Sequence, residues 1–262
     1  MCLLPDEPAR SVVAVVKLGG SVLVDVPAYR VAAEALARRV AAHPHERLVV
    51  VVSAREGVTD ALSALARTLT RQPQRRALDL LWSTGEIESV ALLTIALQQL
   101  GADAIGLNVH ELGLHGSTCL RGVRLQDALR DHRLVVVPGF IATDDDGGIV
   151  SLGRGGSDLT AVLLAGELGA ACELVKDVPG YFSEDPNRHR GAAPLPALSY
   201  EDALRMAANG CDLVQPRALE AAARANIRVV VRSLRDDVRQ TVLAAPHSPA
   251  ASLDGSGVLA SV

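Results

Sequence analysis

The sequence predicts an α/β fold in which helices cover both faces of a mainly parallel sheet. Short runs rich in Val, Ile and Leu, typical of buried strands, alternate with longer helical segments along the chain. Strand, helix and strand at this spacing form βαβ crossovers, which bury both faces of a parallel sheet. With 262 residues, 49% apolar and 21% charged, the chain can form one large globular domain or two modest ones that share a core.

Six strands and six helices follow from these patterns in alternation. The strands are brief and β-branched, whereas the helical segments are longer and lie between them. The predicted strands are residues 11–18, 48–53, 104–107, 134–138, 173–176 and 227–231. The predicted helices are residues 28–42, 59–69, 77–100, 158–168, 200–208 and 217–225.

The connecting segments are rich in turn residues. Three aspartates at 144–146 precede two glycines, which predicts the tip of a hairpin. A calcium loop would need further spaced ligands and a bidentate glutamate, which this segment lacks. Residues 188–196 are expected to cross the surface. The whole chain, 1–262, is expected to be one domain with an extension at 1–10 and a short tail at 234–262 that could add one strand or helix.

Charge, hydropathy and cysteine content exclude several classes of protein. The net charge of −4 offers no basic surface for nucleic acid. No apolar stretch is expected to approach the roughly 20 residues that a bilayer needs, and the N-terminus has no export signal. The cysteines form no CxxC pair, which speaks against a disulfide framework or structural zinc and favours a soluble, cytoplasmic protein. They are Cys2, Cys119, Cys172 and Cys211.

The first candidate site lies at the end of the first predicted strand. Of the 26 basic residues only two are lysines, Lys17 and Lys176, and both end strand-like runs. Lys17 is followed by Gly19, Gly20 and Ser21; glycines let the backbone approach phosphate oxygens, and a lysine neutralises their charge. The lysine precedes the glycines, so this is not a Walker A loop. A plain strand-to-turn transition would look similar.

The second candidate site is the segment from Gly153 to Asp158, which leads into a predicted helix. Glycines, a hydroxyl and a carboxylate before a helix indicate an anion site at a helix N-terminus. Arg154 could grip a substrate carboxylate with two hydrogen bonds. Asp158 has two compatible interpretations, as a helix N-cap or as a buried carboxylate that keeps Lys17 charged and aimed.

Two further segments carry chemistry-bearing residues. Glu86 follows Thr84 and Gly85 at an apparent break, where it would be a first-turn helix residue or the receptor of a substrate ammonium. Lys176 and Asp177 precede Tyr181 and Phe182, which could pack against a base or only against the core edge.

A histidine-rich segment comes close to a zinc-hydrolase pattern but departs from it. His110, Glu111 and His115 are spaced as HExxxH, which does not return both histidines to one helix face, and Gly113 interrupts the segment. A metal hydrolase is therefore disfavoured.

Taken together, eight segments resemble the amino acid kinase family, most closely its aspartokinase branch. The resemblance runs in order from about residue 12 to 233. Its segments are VVKLGGS (15–21), VVSAREGVTDAL (51–62), STGEIES (83–89), VVPGFIA (136–142), SLGRGGSD (151–158), KDVPGYFSEDP (176–186), LSYEDALRMAANG (198–210) and QPRAL (215–219).

This resemblance implies an ATP-dependent phosphotransferase with an αβα sandwich around an open sheet of about eight strands. It implies phosphorylation of a small amino acid on its carboxylate, with L-aspartate giving 4-phospho-L-aspartate as the leading choice. Mg²⁺ would be held mainly by ATP phosphates and water, with no protein metal site, and a homodimer is a further implication. A substrate carboxylate is already nucleophilic at pH 7, so no strong general base is needed.

The resemblance also assigns roles to residues of this chain. The implied catalytic residues are Lys17, Arg154, Asp158 and Lys176. The implied nucleotide-binding residues are Lys17, Gly19, Gly20, Ser21, Lys176, Asp177, Phe182 and Asp185. The implied substrate-binding residues are Ser53, Thr59, Glu86, Arg154 and Ser157, and the wall that selects the side chain is expected at the Ser53–Thr59 loop with Ile141 and Ala142.

The chain departs from the aspartokinase pattern at three places. KLGGS replaces KFGGTS, and in the second lysine motif Lys176 replaces a usual Thr while Pro179 replaces an Asp. GCDLVQP (210–216) replaces GAKVLHP, which puts Asp212 where the family has an ATP-facing lysine and Gln215 where it has a histidine. Our hypothesis is that Lys176 supplies the cation lost at Asp212. The chain is also expected to lack ACT-type regulatory domains and the feedback control they provide.

Three functions stay open at this point. The first is a kinase that makes an acyl phosphate from aspartate, favoured by Glu86 and Arg154, which suit a zwitterionic amino acid. The second is a kinase of the same fold for another small amino acid, a phosphonate or a phosphate. The third is a non-catalytic nucleotide-binding regulator, favoured by Asp212 but disfavoured by Lys17 and Asp158.

Overall fold

The computed structural model describes residues 12–244, apart from residues 117, 118, 121, 122, 187 and 237. The predicted extension at 1–10, Cys2, the side chain of Cys119 and most of the predicted tail, 245–262, lie outside the described residues. The strands are β1 Val12–Leu18, β2 Glu46–Val52, β3 Ala104–Gly106, β4 Leu114–His115, β5 Cys119–Leu120, β6 Leu134–Pro138, β7 Ile141–Thr143, β8 Ile149–Ser151, β9 Ala171–Lys176, β10 Ala197–Ser199, β11 Val229–Ser233 and β12 Gln240–Ala244. The helices are α1 Val26–Ala42, α2 Val58–Leu69, α3 Arg75–Gln99, α4 Val109–Leu112, α5 Val123–Asp131, α6 Gly156–Leu168, α7 Tyr200–Ala208 and α8 Pro216–Arg224.

Eight strands form the central sheet, in the order β10-β12-β11-β9-β1-β2-β6-β3. All neighbours are parallel except β11 and β12. The predicted α/β fold and its mainly parallel sheet are therefore confirmed. The parallel strands β9, β1, β2 and β6 end at the same edge, and the chain order reverses around β1, which is where open α/β sheets form their binding crevice.

Helices bury both faces of this sheet because side chains alternate along each strand. On one face, Val16 and Val50 lie in a core with Leu36 of α1 and Leu93 of α3. On the other face, the core includes residues of α5, α6, α7 and α8 packed on the alternate strand positions. The valines of β2 and β6, together with Val15 and Val16 of β1, are fully buried, as expected of a parallel sheet covered on two sides.

The longest helix corrects one expectation. By length and composition α3, with 25 residues, could cross a membrane, so the expectation that no apolar segment approaches that length is wrong. In this fold α3 lies against α1, α2 and the sheet, and its buried face includes Asp79 and Glu86. The helix is therefore a core helix here.

A smaller sheet, in the order β5-β4-β7-β8, lies beside the central one. The aspartates and glycines at 144–148 turn the chain between β7 and β8, and the Asp144 carboxylate accepts hydrogen bonds from the N–H groups of Asp146 and Gly148. The predicted hairpin is thus confirmed. Within the predicted tail, β12 joins the central sheet between β10 and β11.

Candidate active site

Three charged side chains meet at the carboxyl edge of the central sheet. Lys17 is the penultimate residue of β1, and Lys176 is the last residue of β9. Asp158 lies in the first turn of α6. Lys17 Nζ lies 2.8 Å from Asp158 Oδ1, and Lys176 Nζ donates a hydrogen bond of 2.7 Å to Asp158 Oδ2. Lys17 and Asp158 are only 6% and 3% exposed. One carboxylate thus pairs with two lysines in a place largely closed to water.

The electrostatics of this cluster keep Asp158 ionised. Burial by itself would raise the pKa of the Asp158 carboxyl, but the ammonium groups of Lys17 and Lys176 hold it below its usual range. Burial and repulsion from Lys17 lower the pKa of Lys176, and Asp158 and Asp177 oppose that shift. Both lysines therefore depend on Asp158 for their charge balance.

The start of α6 corrects the N-cap interpretation of Asp158. Gly155, with φ +72°, is the N-cap residue, and no side chain caps the helix there. Asp158 comes three residues after the cap, where a carboxylate also interacts favourably with the helix dipole. Its side chain instead faces the two lysines.

A cavity of about 300 Å³ opens beside this cluster. It contains every substrate-binding residue that the resemblance implied, together with both lysines and Asp158. It is lined by Lys17, Ser53, Ala54, Thr59, Glu86, Phe140, Gly153, Arg154, Gly155, Gly156, Ser157, Asp158, Lys176, Asp212 and Gln215. We call it the small cavity.

Glu86 is the buried acid of the small cavity. It lies in the middle of α3, so the expectation of a first-turn position is wrong. Burial raises the pKa of its carboxyl to about 8, against opposing effects of the Ala54 backbone and Lys17. Its Oε2 atom is buried without a hydrogen-bond partner. A buried acceptor in this state lacks a donor such as an ammonium group.

A second cavity, of about 820 Å³, lies on the other side of Lys176. We call it the large cavity. It is lined by Ser21, Lys176, Asp177, Val178, Gly180, Tyr181, Phe182, Ser183, Glu184, Asp185, Pro186, Arg188, Met206, Asn209, Gly210, Cys211, Asp212 and Leu213. Five of the implied nucleotide-binding residues, Ser21, Lys176, Asp177, Phe182 and Asp185, are among them. Ser21 Oγ donates a 3.2 Å hydrogen bond to Asp177 Oδ1.

Gly19 and Gly20 line neither cavity but lie in the turn that follows Lys17. A Cβ atom on Gly19 would lie 3.0 Å from Lys17 Nζ, and one on Gly20 would lie 2.8 Å from the Ala54 carbonyl oxygen. The two glycines therefore let the β1–α1 turn pass close to the lysine and to the loop after β2.

The two cavities share two lining residues, Lys176 and Asp212. Their common boundary thus carries one cation and one anion, at the point where a group could pass from one cavity to the other. Asp212 is exposed, whereas the Lys176 ammonium is bound by Asp158.

Comparisons of the sequence and of the fold with known proteins identify the family of this chain. The sequence profile of the amino acid kinase family matches residues 13–233. The chain belongs to the amino acid kinase family. It is 36% identical over 237 residues to Aspartokinase 2 of Bacillus subtilis (strain 168), a match that covers 87% of this chain and 57% of that protein.

Solved structures of the amino acid kinase family have the same fold. The aspartate kinase from Synechocystis superposes with a TM-score of 0.81 at 38% identity, covering 90% of this chain and 40% of that one. E. coli aspartokinase III in complex with aspartate and ADP superposes with a TM-score of 0.77 at 25% identity, covering 91% and 65%. This chain spans about half the length of the aspartokinases that it matches in sequence.

The sequence does not predict one wall of the small cavity. Phe140 lines the small cavity with a φ of +68°, whereas Ile141 and Ala142, which were expected to form that wall, are fully buried elsewhere. The segment VVPGFIA resembles a family motif, but in β7 both Ile141 and Ala142 are fully buried and neither lines the small cavity. The glycine before Phe140 was the available signal of a tight turn.

Proposed function

We propose that this chain is an ATP-dependent kinase that phosphorylates the side-chain carboxylate of a small amino acid, L-aspartate in the first place. The observation that carries the proposal is the Lys17–Asp158–Lys176 cluster at the junction of a small polar cavity and a larger one. A kinase needs two adjoining sites of unequal size, with cations where the phosphoryl group crosses.

The small cavity suits a zwitterionic substrate. Glu86 would receive the α-ammonium group, which would supply the donor that its buried Oε2 atom lacks. Arg154 would hold the α-carboxylate, and the hydroxyl groups of Ser53, Thr59 and Ser157 would fix the orientation. The substrate's second carboxylate would then point to the lysine cluster.

The transfer step needs alignment and charge neutralisation rather than a base. An oxygen of the substrate carboxylate attacks the γ-phosphorus, a new O–P bond forms, and the bond to the bridging oxygen breaks with its electrons left on ADP. No proton has to move, because the carboxylate is ionised at neutral pH. Lys17 and Lys176 offset the negative charge on the transferring group, and Asp158 keeps both ammonium groups in place.

The large cavity suits a nucleotide that carries its own cation. Phe182 offers a face for a base, and Ser21 and Asp177 lie beside the first glycine turn. Acidic side chains outnumber the cations Lys176 and Arg188 in its lining, so a bare triphosphate would be repelled there. Mg²⁺, when bound to the phosphates, would neutralise their charge, and the carboxylate oxygens of Asp177 are donors of the kind that it prefers.

Lys176 is proposed to supply the cation that the family carries at the position of Asp212. Lys176 and Asp212 form the boundary of both cavities, so a cation at either position would face the same phosphoryl group. The hydrogen bond to Asp158 fixes Lys176 beside Lys17.

The test is ADP release with MgATP against a panel of amino acids, with hydroxylamine present to trap any acyl phosphate. We expect turnover with L-aspartate and an aspartyl hydroxamate as product. Turnover with another acid alone would move the function to a different substrate of the same reaction class. Nucleotide binding without turnover across the panel would indicate a regulatory protein. The cytoplasmic location and the homodimer stay predictions. Light scattering would measure the molar mass of the assembly and so test the homodimer.

A further inference from the structure

The wall of the small cavity contains a strained turn. The Ile141 N–H donates a 2.7 Å hydrogen bond to the Gly139 carbonyl oxygen, which closes a three-residue turn around Phe140. Phe140 has a φ of +68°, in the region that favours glycine. Such turns are rare, and a bulky residue there persists only when its surroundings hold it. Something must therefore support Phe140.

Close packing supplies part of that support. A Cβ atom on Gly139 would lie 2.6 Å from Ser157 Cβ, and one on Gly156 would lie 3.0 Å from Phe140 Cα. The start of α6 therefore presses against the backbone of the turn. The Phe140 carbonyl oxygen also accepts a 2.7 Å hydrogen bond from Leu152 N–H. These contacts fix the backbone, and the start of α6 also lies close to the phenyl ring, since a Cβ atom on Gly156 would lie 3.1 Å from Phe140 Cδ2. The ring has one further neighbour.

That neighbour is Trp82, which is not among the residues that line the small cavity. The two ring centroids are 5.9 Å apart, with the planes tilted by 55°. This geometry is typical of favourable aromatic pairs. The Arg75 guanidinium lies 5.2 Å from the Trp82 ring centroid and is itself bound to the buried Asp79. The Arg75–Asp79 ion pair, on the same helix as Trp82, therefore lies against the indole ring.

Trp82 also connects the other two walls of the cavity. Its Nε1–H donates a 2.7 Å hydrogen bond to Ser63 Oγ, which in turn donates 2.7 Å to the carbonyl oxygen of Thr59 on α2. On α3, Trp82 comes one helical turn before Glu86, so both side chains extend from the same face. One side chain therefore joins the elements that carry Thr59, Glu86 and Phe140, all of which line the cavity.

We propose that Trp82 is a positioning residue for the amino-acid substrate: it holds the strained Phe140 turn against α2 and α3 and so sets the shape of the small cavity. The inference rests on the proposed function, since it takes the small cavity as the amino-acid site. Trp82 touches no reacting atom in this account. Its effect should appear in the binding of the amino acid and not in the binding of nucleotide.

The experiment measures the dissociation constants of L-aspartate and of MgADP by calorimetry, for the wild type and for Trp82→Leu. We expect the L-aspartate constant to rise about tenfold, because the turn loses the support that offsets its strain. The MgADP constant should stay within about twofold of the wild-type value. Trp82→Phe keeps a ring beside Phe140 and should restore most of the affinity. Leu80→Ala, at an exposed position of the same helix, is the matched control.

A second substitution separates positioning from simple loss of structure. Phe140→Gly adopts a positive φ without strain, so Trp82→Leu should have little further effect in that background. The protein contains a single tryptophan, and its emission should change when L-aspartate binds to the wild type. Equal losses of L-aspartate and MgADP binding, or full additivity of the two substitutions, would overturn the inference. Wild-type protein that binds L-aspartate but releases no ADP would contradict the proposed function alone.

Discussion

Lys17 and Lys176 lie on the neighbouring parallel strands β1 and β9, and their ammonium groups bind the two oxygens of one carboxylate, that of Asp158. Two neighbouring ammonium groups repel each other, and a carboxylate that pairs with both offsets this repulsion. In the free protein that anion is Asp158. During transfer the phosphoryl group would supply further negative charge to the same pair.

Asp158→Asn should therefore damage both activity and stability. The amide keeps the shape of the side chain but removes the carboxylate that binds both the Lys17 and the Lys176 ammonium groups. We expect kcat to fall by about 10²–10³-fold, as for the loss of one preorganised electrostatic contact. The free energy of unfolding should fall by about 3–5 kcal/mol, because breaking a buried ion pair leaves an uncompensated charge. Steady-state kinetics and urea unfolding measure the two effects. Asp145→Asn, whose side chain is 90% exposed, is the control and should change neither.

Lys176→Ala should abolish turnover while MgADP still binds. The Asp158 carboxylate keeps Lys17 as a partner, so the fold should survive, but the boundary between the cavities loses its cation. Adding Asp212→Lys in the same protein places a cation on that boundary again and should restore part of kcat. Near-normal turnover of Lys176→Ala would remove the hypothesis that Lys176 replaces the family lysine.

Glu86 should make amino-acid binding depend on pH. Burial raises the pKa of its carboxyl to about 8 in the free protein, so most molecules carry it protonated at pH 7. An ammonium group binds the ionised form, so KM for L-aspartate should fall as the pH rises toward 8 and level off above it. The KM for MgATP should show no such change. Glu86→Gln should raise the KM for L-aspartate and remove this pH dependence; a pH profile identical to that of the wild type would contradict the assignment.

The same shift predicts the sign of a stability effect. The folded protein favours the protonated Glu86, whereas the unfolded chain ionises near its ordinary pKa of 4.5. The contribution of the raised Glu86 pKa to the free energy of unfolding is therefore fully present below about pH 4.5 and is lost as the pH rises through about 8. Glu86→Gln should be more stable relative to the wild type at pH 8 than at pH 5, measured by thermal unfolding without ligand.

Gly139→Ala should disturb the substrate cavity through packing. The new Cβ atom would lie 2.6 Å from Ser157 Cβ and 3.0 Å from Ser157 Cα, and backbone cannot rotate away as a side chain can. We expect a loss of about 1–3 kcal/mol in unfolding free energy, together with a higher KM for the amino acid. Gly191→Ala, where nothing lies within 4 Å, should leave both unchanged. A Gly139→Ala protein of wild-type stability would show that α6 can shift at no cost.

The sequence predicts the buried strands well and the short elements poorly. Continuous valine-rich runs have one explanation in a parallel sheet covered on both faces, so β1, β2 and β6 were found to within two residues. Strands of two or three residues, such as β4 and β5, are too short to show any period. They form because neighbouring segments pair with them, which no local pattern records.

The sequence predicts those residues of the candidate site that lie in family motifs. It does not predict conformations that depend on tertiary packing. The lysines and Asp158 were identified from their motifs. Gly85 suggests a helix break beside Glu86, but in the structure it lets α3 pack closely against α2. A Cβ atom on Gly85 would lie 2.9 Å from Val58 Cγ1 of α2. The positive φ of Phe140 depends on Trp82 and α6, which are distant in sequence.

The shared carboxylate has a consequence for the life of the protein. One carboxylate, that of Asp158, binds two ammonium groups, so the Lys17–Asp158–Lys176 cluster carries a net positive charge when Glu86 beside it is protonated. If a nucleotide binds as proposed, its phosphates would offset that excess, so ligand binding would raise the free energy of unfolding. Protein without nucleotide would then be the form that unfolds and is proteolysed more readily.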